Sequence, residues 1–305
     1  MENSALNIVV LVKYVPDAQF DRHLTGDART LDRSESILSE LDEYALEAAL
    51  ALTDARGGAK AGNIVTALTL GPAAAAAAVK KSLQIGATQG LHVTDDALAG
   101  SDASATSLAL AAAIKTLGPV DLVITGMAST DGETSIIPAQ LAARLGLAQI
   151  TFASSLELDG TTVSARRDGD DFSEEIQATL PALVSVTDQA NDPRYPNFKG
   201  ILAAKKKKVT TVSLADLGLS ASDVGLAGSL TRVTAAAERP ARTAGTIITD
   251  SGDAGIQLVD FLALASACWP AAWLLPPSPR PKARFALPSS SASFTCCSMW
   301  CATRT

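Results

Sequence analysis

The chain has 305 residues, 47% of them apolar and 19% charged, with a formal net charge of −7. That length suits one large or two modest domains with an ample core, and the acidic balance argues against a general nucleic-acid binder. No run approaches the ~20 apolar residues that span a bilayer, and the opening MENSALNIVV lacks the basic start and apolar stretch of a signal peptide. A soluble protein of the cytoplasm, with no membrane insertion, is expected.

Asn7 to Val15, NIVVLVKYV, is nearly continuous in apolar, largely β-branched residues and predicts a strand buried on both faces of a parallel sheet, ending at Pro16 and Asp17. After a polar excursion holding His23, Gly26 and Asp27, Ser39 opens a helix with Asp42 three residues on, close to a capping box. Leu41, Tyr44, Ala45, Ala48 and Leu52 share one face of that helix, and Gly57-Gly58 stops it. The unit then repeats. Ile64 to Leu70 is a strand, Gly71-Pro72 turns the chain with Pro72 suited to a first helical position, and an alanine-rich helix follows to Gly86. Gly90 to Thr94 is a short strand; Ser101 or Asp102 caps a helix ending at Gly118-Pro119; Val120 to Thr125 is a further buried strand.

Gly126 to Pro138, GMASTDGETSIIP, leaves the C-terminal end of that strand and enters a helix whose first turn is marked by Thr134 or Ser135. In open α/β sheets ligands sit at such a place, and free backbone N–H groups at a helix start suit a phosphate. The segment has neither the glycine spacing and lysine of a P-loop nor a GxGxxG fingerprint, so a plain connecting loop stays open as the alternative. Gln149 to Leu158, Thr161 to Arg167, Glu174 to Thr179 and Ala182 to Thr187 read as successive strands, an antiparallel addition that closes a first domain at about residue 190. The expected class is α/β: a mostly parallel sheet with helices on both faces, antiparallel additions and an extended C-terminal arm.

Asp192 to Lys208, DPRYPNFKGILAAKKKK, follows the last buried strand. Pro193 and Pro196 stiffen it; Arg194, Tyr195 and Phe198 give it a planar cation and two large rings. It reads either as a presented surface or as a connection whose rings fold back on the core. Lys205 to Lys208 reads as a solvated basic patch at the start of a strand. Val209 to Asp250 is short of core residues and predicts an arm that needs another chain to lie on. Residues 191–263 thus form a loop-and-arm region and 264–305 an atypical tail, rich in Pro and Ser, without Asp or Glu, and holding every Cys and Trp of the chain. Cys296, Cys297 and Cys301 have no matched pair or nearby His, so no metal site is expected.

Catalytic chemistry is hard to find. His23 and His92 are the two histidines, no cysteine precedes Cys268, and no G-x-S-x-G elbow is present. A nucleotide-site pattern without catalytic side chains favours a carrier or binding subunit over a hydrolase.

From residue 6 to about 263 the chain resembles the beta subunit of electron transfer flavoprotein. The most specific match is Asp192, Pro193-Arg194-Tyr195, Ile201 and Lys205 to Lys208; VLVKYVPD at Val10 to Asp17, LTLGP at Leu68 to Pro72, STDG at Ser129 to Gly132 and RTAG at Arg242 to Gly245 support it. The resemblance implies an adenine-nucleotide alpha-hydrolase-like fold with AMP bound by Leu11, Ser39, Glu40, Leu41, Asp42, Leu70, Gly126, Met127, Ala128, Ser129, Thr130, Asp131, Gly132, Glu133, Thr134, Ser135, Ile136 and Ile137. Where many relatives have Asn-Gln-Thr, this chain has Ser135, Ile136 and Ile137, so phosphate contacts fall to backbone N–H groups and to Thr134 or Ser135. It further implies an alpha subunit carrying most of the FAD contacts, and docking of acyl-CoA and related dehydrogenases through Arg194, Tyr195, Pro196 and the anchor Phe198, with electrons passed on to a quinone reductase. A bifurcating type with a second FAD, or a stand-alone adenine-nucleotide module, are the alternatives. The family usually ends near Gly252 to Leu262, so the tail is expected to be poorly packed.

Overall fold

The computed structural model describes residues 5–25, 30–238, 240, 245 and 247–267. In chain order, β1 (Asn7–Leu11), β2 (Tyr14–Pro16), β3 (Leu24–Thr25), β4 (Thr30–Leu31) and β5 (Ser36–Leu38) precede α1 (Glu40–Asp54). Then come β6 (Ile64–Leu70), α2 (Ala76–Ile85), β7 (Gln89–Val93), α3 (Ala103–Lys115), β8 (Leu122–Gly126) and α4 (Ile137–Leu145). β9 (Ala148–Ala153), β10 (Ser155–Asp159), β11 (Thr162–Asp168), β12 (Ser173–Thr179) and β13 (Ala182–Val186) follow. The chain continues through α5 (Phe198–Ala204), β14 (Val209–Val212), α6 (Gly225–Gly228) and α7 (Ala254–Ala267).

Seven strands form one sheet in the order β14-β7-β6-β1-β8-β13-β9, every pair parallel. Alternation along β1 divides the interior. Ile8 and Val10 join the core under α1 and α2 with Leu46, Val65, Ala67 and Leu83, while Val9 faces the core under α3 and α4 with Leu68, Leu110, Ile114 and Leu141. A sheet covered by helices on both faces is what continuous apolar strands require.

Three expectations change in detail. The run Asn7 to Val15 is two strands: after Leu11 the chain leaves the sheet, because Lys13 turns its backbone N–H to the Asp42 carboxylate, and β2 pairs antiparallel with β5. Of the four strands expected as an antiparallel addition, the first, Gln149 to Leu158, is two strands, β9 and β10, and β9 and β13 enter the main sheet in parallel. The antiparallel set is β10-β11-β12, a separate sheet. Its apolar alternation (Leu156, Leu158, Val163, Ala165, Ile176, Ala178) packs onto the α1/α2 core, and the break between β9 and β10 falls at Ser154, two residues after Phe152, which takes a left-handed φ of 58°. Finally, Val209–Val212 does not begin an arm: β14 is the outer strand of the main sheet, beside β7.

Lys207 is withdrawn from the basic patch. Its Nζ donates to the carbonyls of Leu83 (2.8 Å) and Gly86 (3.4 Å) at the C-terminal end of α2, where a cation suits the helix dipole. His92 is buried and its Nε2 meets the Gly71 carbonyl at 3.1 Å.

The chain divides near residue 240 into two units. The second contains α7, whose Ile256, Val259, Phe261 and Leu264 are exposed. Gly26, Asp27, Arg242 and the tail from residue 268 onward, with all four cysteines, lie outside the described residues. No described helix is long and apolar enough to cross a membrane.

Candidate functional site

β1 has β6 on one side and β8 on the other, and the chain builds outward from it in both directions. That makes the C-terminal ends of β1 and β8 a topological switch point, where open α/β sheets leave a crevice. A cleft of about 1150 Å³ opens there. Its apolar side is Leu11, Leu68, Leu70 and Leu110; Gly100 to Ser104 and Ser129, Gly132 and Thr134 to Ile137 supply polar walls, and Leu226, Leu230 and Val233 close it on another side.

Asp42 ties the floor together. It lies in the first turn of α1, is 7% exposed, and its Oδ2 accepts from the Lys13 backbone N–H at 2.8 Å. The capping box expected at this helix therefore does not form. Ser39 is the N-cap by position, yet its side chain caps nothing, and its buried Oγ has no hydrogen-bond partner among the described residues. Gly126, the last residue of β8, comes so close that a Cβ there would stand 2.7 Å from Asp42 Oδ1 and 2.9 Å from the Leu41 carbonyl oxygen.

Burial pushes the Asp42 carboxyl up to about 7, against the Lys13 backbone hydrogen bond and charge, which pull it down. Between its ordinary 3.8 and about 7 the folded state holds a proton that the unfolded chain has lost, so this group's contribution falls as pH rises through that window. Expected slope is up to about 1.4 kcal/mol per pH unit. In Asp42→Asn that component is absent, and thermal melts of both proteins from pH 4 to 8 check it: parallel curves would contradict the assignment.

Asp131 holds one wall. Its side chain is 2% exposed and accepts from Lys13 Nζ at 2.8 Å and from Arg33 Nη2. Lys13 Nζ also donates to Ser129 Oγ (3.3 Å), and Arg33 Nη1 to the Tyr14 carbonyl (3.3 Å). Burial pushes the Asp131 carboxyl up, but the Lys13 charge and the Lys13 and Arg33 hydrogen bonds outweigh it and hold the group well below the usual carboxylate range.

The two helices that start at the cleft differ in their caps. Asp102 caps α3, Oδ1 accepting from Ala105 N at 2.9 Å, while Oδ2 accepts from Leu230 N and Thr231 N at 2.8 Å and so ties residues 230–231 to the cleft. α4 starts at Ile137 rather than at Thr134 or Ser135, because Glu133 (φ 50°) and Ser135 (φ 53°) take left-handed turns that a helix excludes. Its N-cap, Ile136, offers no side-chain acceptor, and Pro138 follows in the first turn. Ser135 to Pro138 line the cleft, so a helix N-terminus without a side-chain cap stands beside it, a place that suits an anion.

Of the expected nucleotide residues, Leu11, Asp42, Leu70, Gly126, Met127, Ala128, Ser129, Gly132, Thr134, Ser135, Ile136 and Ile137 line this cleft together. Ser39, Glu40, Leu41, Thr130, Asp131 and Glu133 stand behind or beside the lining: Ser39 is buried, Glu40 and Glu133 point to solvent, and Asp131 acts through Lys13 and Arg33. Lys13, Arg33, Asp102, Gln140 and the 226–233 segment line it as well without having been expected. Lys13 lay within the VLVKYVPD match, and Asp102 was legible as a cap; nothing local marked Arg33 or residues 226–233.

The second candidate site is the loop before α5. Tyr195 and Phe198 are 88% and 75% exposed, and Ile201 and Leu202, one turn beyond Phe198, are also exposed. Arg194 is different: it reaches Glu47 and Asp54 on α1. The rings therefore stand free of the core, which settles the fold-back alternative for this chain.

The architecture and the switch-point cleft define an α/β protein of the doubly wound class. The Electron transfer flavoprotein domain matches residues 29–217. Over 258 residues the chain is 43% identical to "Electron transfer flavoprotein subunit beta" of Mycobacterium leprae, covering 84% of this chain and 97% of that one. It is 34% identical over 255 residues to the protein of the same name from Thermoanaerobacterium thermosaccharolyticum (83% and 95% covered), and 34% identical over 246 residues to "Caffeyl-CoA reductase-Etf complex subunit CarD" of Acetobacterium woodii (80% and 92%). The chain belongs to the electron transfer flavoprotein family, as a beta subunit.

Proposed function

We propose that this beta subunit holds AMP in the switch-point cleft and works as a non-enzymatic carrier subunit in the cytoplasm, paired with an alpha subunit that carries the redox FAD. The uncapped N-terminus of α4 beside an apolar floor is the observation that supports the nucleotide most. Leu11, Leu68, Leu70 and Leu110 suit a base, and the backbone N–H groups at residues 135–137 suit a phosphate. Cations are already engaged: Lys13 and Arg33 meet Asp131, so they orient the wall more than they neutralise a ligand. In the same reading, Tyr195 and Phe198 dock acyl-CoA and related dehydrogenases, whose reduced flavin passes electrons to the alpha-subunit FAD and from there to a quinone reductase. Exposed rings on a fixed loop fit an apolar pocket on a partner.

The test is the nucleotide itself. Denaturing the purified heterodimer and separating the released small molecules is expected to give one AMP and one FAD per dimer. Two flavins and no AMP would select the bifurcating reading, and a chain that purifies alone as a stable monomer would overturn the heterodimeric one.

A further inference from the structure

Arg194 stands in the docking loop yet spends its hydrogen-bonding capacity on its own chain. Its Nε and Nη2 meet the two oxygens of Glu47 at 2.6 and 2.8 Å, Nη1 meets Asp54 Oδ2 at 2.8 Å, and its backbone N–H reaches Glu47 Oε2 at 3.2 Å. This is the two-pronged guanidinium–carboxylate geometry that fixes orientation as well as charge. Glu47 is 12% exposed at its side chain, so the pair is partly shielded from water.

The loop is held on either side of this clamp. Asn191 Nδ2 donates to the Tyr44 carbonyl of α1 at 3.0 Å. Asn197 caps α5 by accepting from Gly200 N at 2.8 Å, and Gly200 lies so near α2 that a Cβ would stand 2.5 Å from the Gln84 carbonyl oxygen. Arg194 is the one charged side chain among these ties and immediately precedes the exposed Tyr195. We infer that Arg194 is a positioning residue: by clamping the loop to Glu47 and Asp54 it holds Tyr195 and Phe198 outward in the shape a dehydrogenase receives. The inference rests on the docking role proposed above and gives that loop a preorganised frame, which raises affinity by reducing the ordering cost of binding.

Arg194→Lys keeps the charge and loses the fork; Glu47→Gln keeps the size and loses the charge. Each is to be purified as the heterodimer and assayed for electron transfer from an acyl-CoA dehydrogenase reduced with its acyl-CoA substrate, with Phe198→Ala alongside. Expected for both clamp variants is a rise of about tenfold in the carrier KM with kcat unchanged, faster amide exchange confined to residues 192–204, and unaltered FAD content. The double variant should cost less than the product of the single effects, since both remove one interaction. Arg194→Lys at wild-type KM, with Phe198→Ala impaired, would overturn the clamp alone. Wild-type KM in Phe198→Ala would overturn docking through this loop, and the clamp with it.

Discussion

Gly126→Ala is expected to lower the unfolding free energy by about 2 kcal/mol or more and, on the proposed AMP role of the cleft, to reduce the AMP retained on purification. The added Cβ has no direction in which to yield. It meets Asp42 Oδ1 at 2.7 Å and the Leu41 carbonyl oxygen at 2.9 Å, a buried carboxylate on one side and helix backbone on the other. Asp42 is itself held by the Lys13 N–H, and Leu41 is in the first turn of α1. Relief therefore requires α1 to move away from β8, which opens the core that Leu46 shares with Ile124. Gly146→Ala is the control: its φ of 67° gives it the ordinary left-handed penalty, but no described residue comes within 4 Å of a Cβ added there, so a loss of about 1 kcal/mol is expected. Equal urea midpoints for the two variants would show that close approach at Gly126 carries no special weight.

How much of this was legible in the sequence depends on how local the determining contact is. Strands such as Ile64–Leu70 and Leu122–Gly126 announce themselves through apolar runs with Gly-Pro punctuation, and Asp102 declares itself a cap because the N–H it accepts is only three residues away. Ala182–Val186 has the same apolar texture but was assigned to the wrong kind of pair, since an apolar run records burial on both faces and not the direction of its neighbours. A strand after Lys205 to Lys208 was legible, but Val209–Val212 was read as the start of an arm, because a half-exposed outer strand alternates weakly and carries no mark of the neighbour it pairs with. Ser39 illustrates the opposite failure. The local pattern was right for a capping box, and a partner 29 residues away took Asp42 instead. The cleft location was readable from the end of β8, whereas its charged wall was not, for the partners of Asp131 lie 98 and 118 residues distant.

That wall supplies the other large effect. Asp131→Ala removes the shared acceptor of Lys13 and Arg33 and leaves two cations facing each other beside Ser129. A fully buried pair broken on one side costs about 3–5 kcal/mol. Here the carboxylate is 2% exposed but Lys13 and Arg33 remain 42% and 37% exposed, so water recovers part of the cost and about 2 kcal/mol is expected. Because the native Asp131 titrates below its ordinary 3.8, its contribution is full above that value and is lost as pH falls below it. The stability gap between wild type and Asp131→Ala should be constant from neutrality down to about pH 4 and close as pH falls further. The effect of Asp42 runs the other way, fading as pH rises toward about 7. Lys13 joins both, giving its backbone N–H to one carboxylate and its ammonium to the other. The combined contribution of these two carboxyls is therefore greatest near their ordinary value of 3.8, and in Asp131→Ala its acid-side loss disappears. A gap that stays constant as pH falls from 6 to 2, measured by urea unfolding, would show that Asp131 acts only by filling space.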